Sequence, residues 1–178
     1  LHFQSAELPL SSSLESALRP YQKDGVRWLW TLASNGLGGI LADDMGLGKS
    51  LEMIAFLSLL KEKENILIIS PKSLIYNWKN EFEKWDSSRQ VEVVEGNKSS
   101  RKKTIERMKE AGQGVFVVSY DSLRNDEELY QDILFSTIVL DEAQYIANAT
   151  ALKTKAVKSL HAKHRFVLTG TPIQNSYM

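Results

Sequence analysis

The chain has 178 residues, 22 basic and 22 acidic side chains for a formal net charge of zero, and no cysteine. That length can bury a core unaided, and the absence of cysteine excludes a disulfide framework and any Cys-based zinc site. No apolar stretch approaches the ~18 residues of a membrane span, and no basic-then-apolar secretory start is present, so a soluble, cytoplasmic protein is expected. Neutral overall charge leaves a nucleic-acid partner open, because phosphate contact depends on clustering on one face.

In chain order, Leu1-His2-Phe3-Gln4-Ser5 reads as an expression-tag remnant and 6–17 as a leader segment. Residues from about Pro20 to Leu32 place Tyr21, Val26, Trp28, Leu29 and Leu32 at helical spacing behind a first-turn proline. Gly38 to Ala42 is a short apolar strand, followed after Ser50 by Leu51 to Leu60, apolar nearly all round and suited to a helix buried against a sheet. Ile66 to Ile69 is an aliphatic run of the kind found in parallel strands covered on both faces.

Leu74, Trp78, Phe82 and Trp85 share one helical face, which makes Trp78 and Trp85 core anchors. Val91 to Val94 reads as a strand and Ser99 to Ala111 as a charged helix, with Arg101-Lys102-Lys103 on its solvated face. Val115 to Val118, Thr137 to Leu140 and Arg165 to Leu168 complete the strands. Leu152, Ala156, Val157 and Leu160 mark a helix opened by Asn148 or Thr150, and His161 and His164 read as surface residues. Strands alternating with helices predict an α/β domain with a mostly parallel central sheet and helices on both faces.

Three segments carry chemistry. Asp44-Met45-Gly46-Leu47-Gly48-Lys49-Ser50 lies between a strand and a helix, where small residues let backbone N–H groups approach phosphates and the helix N-terminus adds positive charge. Lys49 would reach the β- and γ-phosphates and the Ser50 hydroxyl would ligate magnesium. Asp43 stands where the first glycine of the usual pattern belongs; it and Asp44 either cap the turn or couple the loop to a neighbour. Asp141-Glu142 ends a strand, where ligands of open parallel sheets bind. Asp141 would hold magnesium, usually through water, and Glu142 would accept the proton of an attacking water. Thr169-Gly170-Thr171 could sense the γ-phosphate. Among the arginines, Arg19, Arg27, Arg124 and Arg165 have no motif context that would make one a catalytic finger.

Leu18-Arg19-Pro20-Tyr21-Gln22, the phosphate loop, Ser70-Pro71-Lys72-Ser73-Leu74-Ile75-Tyr76-Asn77-Trp78, Asp141-Glu142-Ala143-Gln144 and Leu168 to Asn175 together resemble the Snf-type (SWI/SNF-like) ATPases of helicase superfamily two. The resemblance covers 18–178 and implies the N-terminal RecA-like, P-loop lobe of a two-lobed enzyme, cut before its second lobe. It implies that the strand ending at Thr169 lies between the phosphate-loop strand and the Asp141 strand. It further implies ATP and Mg2+ as cofactors, Gln22 reading adenine, and translocation along double-stranded DNA gripped by both lobes. Ser70, Pro71, Lys72, Ser119 and Tyr120 match positions that touch the DNA backbone in relatives, and Gln144, Thr169 and Thr171 match coupling positions. Gln144 in place of the histidine usual in eukaryotes points to a prokaryotic source, hence bacterial cytoplasm or nucleoid; a eukaryotic member would be nuclear. The competing readings are a DEAD/DEAH-box RNA or DNA helicase lobe and a non-hydrolysing ATP-binding interaction module. The 178 residues alone are expected to be nearly inactive.

Overall fold

In the computed structural model, the described residues are 8–36, 38–42, 49–60, 64–143 and 151–169. Two helices come first, α1 (Ser12–Ala17) and α2 (Pro20–Ser34), then β1 (Gly39–Ala42) and α3 (Lys49–Ser58). Next are β2 (Asn65–Ser70), a short 3-10 turn (Lys72–Leu74), α4 (Ile75–Trp85), β3 (Val91–Val93) and α5 (Lys98–Ala111). β4 (Gly114–Ser119), α6 (Tyr120–Asn125), a second 3-10 turn (Glu127–Tyr130), β5 (Leu134–Leu140), α7 (Ala151–Ser159) and β6 (His161–Thr169) complete the series.

The strands form one six-stranded sheet in the order β1-β6-β5-β2-β4-β3, and every pairing is parallel. The strand ending at Thr169 therefore lies between the phosphate-loop strand and the Asp141 strand, as the resemblance implies. Parallel strands need covered crossovers, and the side-chain period of two supplies an apolar surface on each face. Along β2, Ile66 and Ile68 enter one core with residues of α2, α3 and α4; Leu67 and Ile69 enter the other with residues of α5, α6 and α7. The fold is thus α/β with helices on both faces.

Several elements differ from the sequence reading. The leader carries α1, capped by Ser11, whose hydroxyl accepts from the Leu14 N–H, and it inserts Leu8 and Leu14 into the first core beside Leu18. α6, which the periodicity did not reveal, begins at Tyr120 because the Ser119 hydroxyl accepts from the Ser122 N–H and so caps a helix. β6 reaches back to His161 and pairs His164 with Thr137. His164 is consequently half-buried rather than a surface residue, and its Nδ1 has no hydrogen-bond partner among the described residues. Arg101 also departs from the solvated face assigned to it. Its guanidinium bonds both oxygens of Asp126, at 2.6 and 3.0 Å, and the Asp126 side chain is fully buried; Lys102 and Lys103 remain exposed. Asn148 and Thr150, the expected cap of α7, lie outside the described residues.

Candidate nucleotide site at the carboxyl edge

Parallel pairing in close register brings the strand ends to one edge. Ala42 stands opposite Thr169, Leu140 opposite Val167 and Ile69, and Ser70 opposite Ser119. The carboxyl edge of an open α/β sheet is where ligands bind, and the candidate residues are strung along it.

A cleft of about 210 Å³ on this edge is lined by Lys49, Ser50, Leu74, Asn77, Trp78, Glu81, Asp141 and Glu142. The four residues given nucleotide chemistry in the sequence, Lys49 and Ser50 from one segment and Asp141 and Glu142 from another far along the chain, thus share one cleft. Lys49 and Ser50 open α3, so their side chains stand at the positive end of its dipole; the lysine is 6% exposed. Thr169, fully buried, ends β6 between the strands that deliver Lys49 and Asp141.

Asp141 is held firmly. Its N–H donates to the Ile69 carbonyl at 2.8 Å, and its own carbonyl accepts from the Tyr120 hydroxyl at 2.7 Å. The next residue, Glu142, takes a left-handed φ of 49°, after which the Ala143 N–H returns to the Leu168 carbonyl at 3.0 Å. This kink turns the chain off β5 and leaves both acids in the cleft. Burial pushes the Asp141 carboxyl up to about 6; the Trp78 indole N–H and the Lys49 charge oppose the rise, and the Glu142 charge adds to it. The Asp141 carboxylate and the Ser50 hydroxyl line this cleft as hard oxygen donors, with the Lys49 ammonium beside them. Such a set fits a magnesium ion that takes its other ligands from phosphate and water.

The Trp78 indole Nε1–H donates to Asp141 Oδ2 at 2.7 Å. The sequence reading as a core anchor covers only its burial, at 3% exposure; the polar contact joins residues 63 apart and has no local signature. Asn77 and Glu81 of α4 also line the cleft, although neither was among the candidate site residues. Gln22 is buried, and its Oε1 accepts from the Arg19 N–H at 2.8 Å, closing the N-terminus of α2. Among the arginines, the Arg165 guanidinium is committed to the carbonyls of Val157 and Leu160 behind α7. Asp44, Met45, Gly46, Leu47, Gly48, Gln144 and Thr171 lie outside the described residues.

Farther along the same edge, a groove of about 490 Å³ is lined in part by Lys72, Tyr76, Arg101, Ser119 and Asp121. Of the residues matched to DNA contacts, Lys72 is exposed and Pro71 half-buried, whereas Ser70, Ser119 and Tyr120 are buried. The Tyr120 ring is turned into the second core and its hydroxyl is given to Asp141, so the side chain is not offered at the surface.

The SNF2-related domain pattern matches residues 21–178. The chain belongs to the SNF2-related family. Similar proteins include the ISWI chromatin-remodeling complex ATPase ISW2 of Saccharomyces cerevisiae, 38% identical over 89% of this chain and 15% of that protein. An uncharacterized ATP-dependent helicase of Mycoplasma pneumoniae is 40% identical over 95% of the chain and 16% of its own length. The Sulfolobus solfataricus SWI2/SNF2 ATPase core in complex with dsDNA superposes with a TM-score of 0.80 at 35% identity, covering 98% of this chain and 36% of that one. The chain therefore spans a small part of its SNF2-related relatives and corresponds to the N-terminal RecA-like lobe of the superfamily-two core. Membership makes it an ATPase-family domain. No helix among the described residues is long and apolar enough to cross a membrane.

Proposed function

We propose that the chain is the ATP-binding lobe of a double-stranded-DNA translocase, which hydrolyses Mg-ATP to move along DNA or to remodel protein-DNA complexes. The observation that carries this reading is the single cleft uniting Lys49, Ser50, Asp141 and Glu142 at the carboxyl edge. Support for the DNA partner comes from the neighbour of known structure, described as bound to dsDNA.

In this reading Lys49 binds the β- and γ-phosphates, Ser50 and Asp141 hold the magnesium, and Glu142 takes the proton from the attacking water. Magnesium, when bound, neutralises charge that develops on the phosphoryl oxygens. Gln22 reads adenine with the amide nitrogen left over from its cap, while Gln144, Thr169 and Thr171 pass the nucleotide state toward the DNA side. Lys72 is the foremost phosphate contact to DNA, with the backbone at Ser70, Pro71, Ser119 and Tyr120 beside it.

Two substitutions in a protein carrying both lobes test the assignment. Lys49→Ala should abolish nucleotide binding. Glu142→Gln should retain binding and lose hydrolysis; normal turnover in that variant would remove Glu142 from the general-base role. The non-hydrolysing alternative is answered by the same comparison, since a module without turnover shows no difference between Glu142 and glutamine. Because an arginine finger is worth roughly 10³ to 10⁵ in rate and is expected from a second lobe, the 178 residues alone should bind nucleotide weakly. They should also show negligible DNA-stimulated hydrolysis in a phosphate-release assay.

A further inference from the structure

The main chain at Asp141 is fixed from both sides, by Ile69 through its N–H and by Tyr120 through its carbonyl. What remains free is the aim of the carboxylate. Trp78 removes that freedom, because its indole N–H meets Oδ2 at 2.7 Å from a ring that is 3% exposed and packed in the first core. A buried indole needs one acceptor, and a backbone carbonyl would serve. Here the acceptor is a carboxylate that faces the cleft, which makes the bond charge-assisted and directional.

Trp85 is the internal contrast. It lies on the same helix, yet its Nε1–H donates to Glu81 one turn back at 2.9 Å, a bond that stays within α4. The Trp78 bond instead ties α4 to the end of β5.

We propose that Trp78 is a positioning residue for Asp141, its indole N–H holding the carboxylate in the orientation that receives the magnesium of a bound nucleotide. The inference rests on the metal role given to Asp141 above. It adds that α4, the helix that follows Lys72, sets the aim of the acid through one hydrogen bond.

The test replaces Trp78, in a protein carrying both lobes, by 3-(3-benzothienyl)alanine, in which sulfur takes the place of the indole N–H at nearly unchanged shape. Binding of a fluorescent ATP analogue is followed across a Mg2+ titration, with thermal unfolding measured alongside. The expected result is unchanged metal-free binding, an unfolding midpoint lowered by the loss of one buried charge-assisted hydrogen bond, and a Mg2+ midpoint raised on the order of tenfold, as for loss of other partners that orient metal ligands. Trp78→Phe should show the same metal shift with a further fall in the unfolding midpoint, because the smaller ring also leaves a cavity in the first core. Equal Mg2+ midpoints in the wild type and the benzothienyl variant would overturn the proposal while leaving the metal role of Asp141 standing. A wild-type chain whose nucleotide affinity ignores Mg2+ would overturn that role, and this proposal with it.

Discussion

Glu142 is the one non-glycine residue among those described with a positive φ, 49°, and it sits where the chain leaves β5. A left-handed conformation costs an L-residue roughly 1–2 kcal/mol relative to glycine, and most for a β-branched side chain. Glu142→Gly should therefore be more stable than Glu142→Val by about 1–2 kcal/mol in urea unfolding, although both lack the carboxylate. Strain tolerated at this position accords with a residue kept for chemistry. A different residue-scale test concerns Arg101, whose partner Asp126 is wholly buried. Removing Arg101 leaves the buried Asp126 with only Lys98, 3.7 Å away, so Arg101→Ala should cost about 2–3 kcal/mol in the same assay, whereas Lys103→Ala should cost nearly nothing. The identity of the catalytic candidates was readable because motif residues sit beside strands and helices that periodicity reveals. The Arg101–Asp126 and Trp78–Asp141 contacts were not, since each joins side chains whose encounter is decided by the sheet order rather than by local spacing.

At the scale of elements, β1 is pressed between α2 and β6 with no room at its start. A Cβ on Gly38 would lie 2.1 Å from the Arg165 carbonyl oxygen, and one on Gly39 would lie 2.4 Å from Leu32 Cδ1. The obstacle at Gly38 is backbone, so the strand pair itself must yield. Gly38→Ala should destabilise by about 1–3 kcal/mol and weaken nucleotide binding by displacing the strand that delivers Lys49; denaturant unfolding and analogue binding measure the two effects. Central strands were legible as aliphatic runs because both faces are covered. β6 was recognised only over its apolar half, since His161, Lys163 and His164 interrupt the pattern before Arg165. α1 and α6 escaped notice because six residues each give less than two turns of periodicity, and their caps, Ser11 and Ser119, are weak signals alone.

Across the whole molecule, the sheet separates two apolar layers, and the leader belongs to the first. Leu14 is 1% exposed there, beside Leu18 and Leu8. Leu14→Ala should cost about 2–5 kcal/mol, read as a fall in the urea midpoint with little change in slope; a leader merely draped on the surface would leave the midpoint unmoved. The sheet order has another consequence. β1, the earliest strand in the chain, is hydrogen-bonded within the described sheet to β6, which is the latest. Closing so long a loop must precede any reward from the contact, which slows folding relative to local pairing. During synthesis the phosphate-loop strand would wait for His161–Thr169 to emerge from the ribosome, so the nucleotide cleft should be the last region of this lobe to acquire its native form.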